Sequence, residues 1–270
     1  MKKELIVHRN PKSPIAEIFR TLRTNIQFMN SRKALKTLLV TSTMPGEGKT
    51  WVSSNLAITF AQAGKKVVLV DTDMRKGRIH AMFQTTATPG LSNYLLGIDE
   101  TGRVKKNDIL KHVRQTEIDN LFILPAGNVP PNPSELLVSE LTNNMLDKLK
   151  EIFDIVILDG TPSLLVTDSV ILSRVVDSTI IVTSHKTTKK DALQKVKRAI
   201  ENVGGKIAGV VINKIPVNIE KYESTYYYSA SLAPIEKENT KKYDIEKKDS
   251  GSRAEEIMKE LNDYLKNNDN

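Results

Sequence analysis

Residues 41–50 read TSTMPGEGKT, and this stretch decides the fold. The apolar run Leu38-Leu39-Val40 before it reads as a strand, and Trp51-Val52-Ser53-Ser54-Asn55-Leu56 after it reads as the start of a helix. Between them, Gly46 and Gly48 let the backbone curl so that its N–H groups face inward around phosphate oxygens. The helix N-terminus adds partial positive charge. Lys49 is placed to reach the β- and γ-phosphates, and the Thr50 hydroxyl to hold Mg²⁺. A glycine-rich turn alone would match part of this pattern; the strand and helix on its flanks make it a P-loop. The expected nucleotide contacts are Pro45, Gly46, Glu47, Gly48, Lys49, Thr50 and Trp51.

Working outward, apolar runs alternate with helical patterns. The spacing predicts strands over Lys36–Ser42, Lys66–Asp71, Leu121–Pro125, Phe153–Asp159, Ser178–Ser184 and Lys206–Ile215. Several are nearly continuous Val, Ile and Leu, as expected where both faces of a parallel sheet are covered. Helices are predicted over Thr50–Ala63, Pro133–Lys150, Asp168–Arg174 and Thr187–Val203, with Asn132, Pro133 and Glu135 forming a helix start. The alternation implies right-handed crossovers and an α/β, doubly wound, mainly parallel sheet with helices on both faces.

Ligands of such sheets bind beyond the carboxyl ends of the strands. The run Val67–Val70 leads into Asp71-Thr72-Asp73-Met74-Arg75, and Ile155–Leu158 ends at Asp159. Three carboxylates should therefore converge near the phosphates. Mg²⁺ needs few protein ligands, so Thr50, Asp73 and Asp159 serve the metal directly or through water. Asp71 is left to take a proton from an attacking hydroxyl.

Composition sets the outer limits. The 270 residues carry 40 Lys and Arg against 32 Asp and Glu, a formal net charge of +8, and no cysteine. Disulfides and thiolate metal sites are excluded, which suits a reducing compartment. The lysines are scattered and match no nucleic-acid-binding fold signature, so a solvated basic surface is expected and no nucleic-acid partner. No apolar run approaches the ~20 residues of a membrane span, and MKKELIVHRN has no signal-peptide core. The four histidines, His8, His80, His112 and His185, form no metal-ligand spacing.

PGEGKT, then DTDMR after a strand, then a strand ending in Asp159, resembles the bacterial tyrosine kinases of capsule and exopolysaccharide synthesis. Arg75-Lys76 with His80 and Phe83, Gly90-Leu91-Ser92, and LPAGNVPPNPSELL at 124–137 extend the likeness through about residue 230. The resemblance implies a cytoplasmic kinase that uses ATP and Mg²⁺ to phosphorylate tyrosine. It further implies attachment at the inner face of the plasma membrane through a transmembrane adaptor of the polysaccharide co-polymerase type, and a cognate tyrosine phosphatase. In place of the usual Thr-Pro-Pro after the third aspartate, this chain has Gly160-Thr161-Pro162-Ser163, a substitution rather than an insertion, with the spacing to Asp168 preserved. The competing assignment is an ATP-hydrolysing switch of the MinD/ParA type. That class carries a lysine five positions before the P-loop lysine, where this chain has Met44. A nucleotide-binding scaffold without phosphotransfer is the third reading.

Three further segments carry functional expectations. SPIAEIFRTLRTNIQFM, from Ser13, reads as a helix with Ser13 as cap and Pro14 at its first position. Ile15, Ile18, Phe19, Leu22 and Ile26 form its apolar stripe, with Glu17, Arg20 and Arg23 along one flank. Spacing alone allows internal ion pairs worth about 0.3–0.5 kcal/mol each; the family resemblance implies instead the subunit contact of a ring-shaped homo-oligomer. Asn213, ending the last strand, either contacts adenine or bonds its own backbone. Tyr222, Tyr226, Tyr227 and Tyr228, four of seven tyrosines, sit in a polar stretch with no alternating apolar face. That setting suits phosphate acceptors, and the resemblance implies autophosphorylation there. The organisation expected is a kinase domain over 1–216, a tyrosine-bearing tail and charged linker over 217–252, and a short amphipathic helix over 253–270.

Overall fold

The computed structural model describes residues 4–29, 35–97 and 108–216. All of them fall within the unit Met1–Ser224. The tyrosine cluster, the charged linker and the C-terminal amphipathic segment lie outside the described residues.

Seven strands form one sheet in the order β3-β4-β2-β5-β1-β6-β7. They are β1 (Thr37–Ser42), β2 (Val67–Asp71), β3 (Arg114–Gln115), β4 (Leu121–Leu124), β5 (Ile155–Pro162), β6 (Ser178–Ser184) and β7 (Ile207–Asn213). Every pairing is parallel except β3 with β4. The helices are α1 (Ile6–Arg9), α2 (Pro14–Phe28), α3 (Lys49–Gln62), α4 (Ile79–Met82), α5 (Leu91–Leu96), α6 (Pro133–Val138), α7 (Glu140–Ile152), α8 (Asp168–Ser173) and α9 (Lys190–Asn202).

Alternate residues of the buried strands feed two cores. Leu38, Val40, Leu69 and Ile157 face a layer built from α1, α2 and α3. Leu39, Val68, Val70 and Leu158 face Leu91, Tyr94, Met145 and Leu149 on the opposite side. Both faces are therefore dry, which is why these strands read as unbroken apolar runs. Helix α3 is buried along nearly its whole length, so it shows no amphipathic stripe and lies under the layer made by α2.

The doubly wound sheet expected from the sequence is present. Besides β5, which continues to Pro162 rather than ending at Asp159, and α9, which starts at Lys190 rather than Thr187, one helix needs correction. The stretch predicted as one helix from Pro133 to Lys150 is two, divided at Ser139, whose backbone is extended at φ −62° and ψ 154°. The Ser139 hydroxyl donates to the Leu136 carbonyl at 2.6 Å and the Thr142 hydroxyl to the same oxygen at 3.1 Å, so side chains take over an acceptor the helix would have used. Asn132 makes no capping bond; its amide reaches Glu135 at 3.3 Å instead.

Ser13 caps α2 as expected, accepting from the Ala16 N–H at 3.2 Å. The stripe packs inward through Phe19 and Ile26, with the Phe19 ring edge-on to Trp51 at 5.1 Å, whereas Ile18 is 44% exposed. The polar flank divides its labour. Arg20 pairs with Glu17 at 2.6 Å and also donates to the Pro11 carbonyl. Arg23 turns to the protein interior and donates to the Thr59 carbonyl of α3 at 2.9 Å.

Arg23 and Glu17 should therefore respond differently to truncation. Arg23→Ala removes a charge-assisted bond to a part-buried carbonyl and should lower unfolding free energy by about 1.5–3 kcal/mol. Glu17→Ala removes one half of a half-buried pair at the surface and should cost under about 1 kcal/mol. Urea unfolding of both variants checks this; equal losses would mean that Arg23 does not anchor α2.

Candidate functional site

The P-loop connects β1 to the N-terminus of α3. Gly48 stands at φ 98°, and the amide of Asn213 lies 2.1 Å from where a Cβ would be, so only glycine fits. Glu47 is buried beneath the loop. Its carboxylate accepts from the Thr43 N–H and the Met44 N–H at 2.7 and 2.9 Å, and from the Thr43 hydroxyl at 2.7 Å. The Thr188 hydroxyl donates to it as well, from the segment after β6. Asn213 closes the other side, its amide donating to the Glu47 carbonyl at 2.8 Å while its own oxygen accepts from the Lys214 N–H. Two strand ends thus fix the loop from outside. The sequence placed Glu47 among the ligand contacts, but its side chain braces the loop; the backbone N–H is what it offers a phosphate.

Lys49 carries the charge. Its ammonium lies 3.6 Å from Asp73 and 3.9 Å from Asp159, and 3.3 Å from the Thr50 hydroxyl. Burial alone would depress the lysine pKa, but Asp159, Asp73 and Asp71 outweigh it and the net shift is upward. Asp159 also accepts from the Ser53 hydroxyl at 3.1 Å. The sequence-predicted metal ligands Thr50, Asp73 and Asp159 are therefore brought together. Among the described residues no cluster of three or more His, Asp or Glu could hold a metal by itself. Mg²⁺ retains waters and phosphate ligands, so two carboxylates and a hydroxyl fit it.

Asp71 lies directly across from Asp159 in the β2–β5 register. It is fully buried, and its oxygens accept from the Ile79 N–H at 3.0 Å and the Asp73 N–H at 3.3 Å. Burial, then the charge of Asp159, pushes its pKa up to about 8. Asp73 faces the cavity; Asp71 stands behind it and holds the loop that leads to α4.

Two cavities flank the P-loop, and Pro45 and Gly46 line both. The smaller, about 500 Å³, is bordered by Met44, Thr187, Thr188 and Lys214. The larger, about 530 Å³, runs from Lys49, Thr50 and Asp73 past Trp51 and Met82 to Arg78. Glu4 reaches it because Asn55 of α3 clamps the N-terminal segment, accepting from the Val7 N–H at 3.1 Å and donating to the Glu4 carbonyl at 3.0 Å.

Sequence reasoning gave no role to a second buried cluster. Arg75 pairs with Asp168, a carboxylate with no solvent exposure at the start of α8, and Ser134 of α6 donates to the same carboxylate at 2.6 Å. This ties the DTDMR turn to PPNPSELL. The visible signal was a carboxylate opening the short helix Asp168–Ser173 ahead of the apolar Val170-Ile171-Leu172. Gly160 also gains a reason: a Cβ there would sit 2.3 Å from the Ser169 hydroxyl, which donates to the Thr161 carbonyl and accepts the Thr161 N–H. The chain shifts register by one residue relative to β1 there, and Asp159 keeps its place opposite Val40.

A parallel sheet with a P-loop and three carboxylates at its strand ends defines a P-loop nucleotide-dependent enzyme. Residues 35–211 match the family model described as an AAA domain. The chain is 38% identical over 224 residues to the putative tyrosine-protein kinase CapB of Staphylococcus aureus, covering 83% of this chain and 94% of that protein. It is 36% identical over 228 residues to the tyrosine-protein kinase YwqD of Bacillus subtilis, covering 84% and 92%. The crystal structure of the chimerical protein CapA2B2 superposes with a TM-score of 0.74 at 38% identity, covering 80% of this chain and 92% of that one. The chain belongs to the bacterial tyrosine-protein kinase family.

Two measurements examine the site. Asp71 binds its proton more tightly folded than unfolded, so its contribution favours the folded state below about pH 4 and is lost as pH rises through about 8. Thermal melts of the ligand-free protein should therefore fall from pH 5 to pH 9, and Asp71→Asn should flatten that fall; an unchanged slope would refute the assignment. Glu47→Gln turns an acceptor into a donor facing two N–H groups, and should weaken ATP binding roughly 10- to 100-fold. Calorimetric titration reads this, with circular dichroism confirming the fold.

Proposed function

We propose that this chain transfers the γ-phosphate of ATP, with Mg²⁺, to tyrosines at 222, 226, 227 and 228, on a neighbouring copy, in the control of capsule or exopolysaccharide synthesis. The observation that carries the reading is Lys49 held between Asp73 and Asp159 at the mouth of a cavity that continues beyond the P-loop. Phosphates on the loop place the nucleoside toward the Met44–Lys214 side and leave the larger cavity for the acceptor. A tyrosine entering there meets Trp51 and Met82 as apolar walls.

The residues then have separate tasks. Lys49 and the N–H groups at the start of α3 stabilise charge on the transferring phosphoryl group. Thr50, Asp73 and Asp159 would hold Mg²⁺, directly or through water, and the ion would supply positive charge against the phosphates. Asp71 is the base: burial raises its basicity toward neutrality, and because it stands behind Asp73 it would take the hydroxyl proton through one intervening water. Glu17 and Arg20, the half-buried ion pair on the α2 flank, contact the next subunit of a ring. Among the described residues no helix is long and apolar enough to cross a membrane, and a separate membrane adaptor would bring the kinase to the inner face of the plasma membrane.

Lys49→Met should abolish ATP-dependent tyrosine phosphorylation with the fold retained. Asp71→Asn should slow single-turnover transfer by about 10²–10⁴ with ATP still bound. The decisive experiment mixes a Lys49→Met chain with an active chain carrying phenylalanine at all four tyrosines. Phosphate on the inactive chain supports transfer between copies. Its absence, under conditions where the unmodified protein labels itself, overturns that mechanism.

A further inference from the structure

Three cations follow Asp73 around the turn into α4, and only one is spent inside the protein. Arg75 is paired with the buried Asp168. Lys76 and Arg78 are exposed, both line the larger cavity, and among the described residues their side chains make no hydrogen bond or ion pair. The turn also fixes their distance from the chemistry. The Lys76 N–H donates to the Asp73 carboxylate at 2.9 Å, so the residue begins beside the cavity-facing carboxylate. Arg78, five residues after Asp73, can stand no more than about 17 Å of chain away.

We propose that Lys76 and Arg78 form a subsite for a phosphate monoester, the phosphotyrosine that a previous round of transfer left beside the next acceptor. The subsite rests on the acceptor assignment made above and adds to it an order of events. In an extended segment residues i and i+2 project to the same side about 7 Å apart. With Tyr228 phosphorylated, Tyr226 can therefore enter the cavity while the phosphate meets the two cations at its rim. A phosphotyrosine carries about −1.5 to −2 charges and three acceptor oxygens. Lysine and arginine side chains meet it with charge-assisted bonds stronger than those to neutral partners. The first phosphate makes the second transfer easier, and the cluster fills cooperatively.

Carboxylates near the tyrosines, Glu220 and Glu223, offer the same cations a negative charge. They are present at every round, so they accelerate all transfers alike and leave the sites independent. Only a charge created by the reaction makes later transfers faster than earlier ones. The two sources therefore leave different distributions of product.

The test is intact-mass analysis of the full-length protein, freed of phosphate and then incubated with ATP and Mg²⁺. Forms with zero to four phosphates are counted when an average of one phosphate per chain has been incorporated. For the unmodified chain at low salt, singly phosphorylated protein should be at least threefold scarcer than independent filling gives. The doubly substituted Lys76→Ala, Arg78→Ala chain, compared at the same average incorporation, should follow the independent distribution. Raising ionic strength should move the unmodified chain the same way, because exposed charges are screened; this arm decides if the double variant folds poorly or labels too slowly. Independent filling by the unmodified chain at low salt overturns the subsite, as does cooperative filling that survives the double substitution or high salt. A complete lack of tyrosine phosphate on the unmodified chain is a different result: it removes the kinase reading itself, and the subsite with it.

Discussion

The Lys49 ammonium between Asp73 and Asp159 is the interaction on which the rest of this structure depends. It draws together the ends of three strands that are far apart in sequence: β1, through the P-loop, β2 and β5. All three end at the same edge because they run parallel, and they run parallel because crossovers built on helices return them in one direction. The burial of both sheet faces supplies the driving force. The charges contribute direction: each of the three loops has one position at which its polar group is satisfied.

The P-loop itself is held from below and from outside. A chain of backbone N–H groups open enough to receive phosphate has no helix or sheet ladder to keep it in shape. Glu47 supplies that shape by accepting from three donors within the loop, and Thr188 and Asn213 link it to the ends of β6 and β7. The loop's shape is therefore tied to two strand ends that border the smaller cavity, through the Thr188 hydroxyl and the Asn213 amide.

Much of this was legible in the chain. The P-loop, the two aspartate-bearing strand ends and the sheet class follow from motif and periodicity, since fully buried strands advertise themselves by unbroken Val, Ile and Leu. Four-residue helices such as α1 and α4, and the two-residue β3, were not legible, because so few residues establish no period. The division of α6 from α7 depends on two hydroxyls competing for one carbonyl, a contest propensity does not decide. Residue roles proved less legible than residue positions. Glu47 lies within a phosphate-binding motif yet braces it from inside. Arg23 shares its spacing with Glu17 and Arg20, but its guanidinium reaches Thr59, because the helix turns it toward α3 rather than outward. The tyrosines expected as acceptors, all after residue 216, lie outside the described residues.

The electrostatics of the ligand-free site show why it needs its ligand. One lysine faces three buried carboxylates, so full ionisation would leave two negative charges uncompensated at the inner wall of the cavity. Asp71 answers by holding its proton to about pH 8, and the Asp159 carboxyl is likewise pushed upward, first by burial. A divalent cation is the missing charge in both number and kind, since carboxylate and hydroxyl oxygens are the hard donors it prefers. Its arrival would favour release of those protons, turning Asp71 from a stored acid into an available base. Metal binding and readiness for proton abstraction would thus be one event, produced by burying three carboxylates around a single lysine.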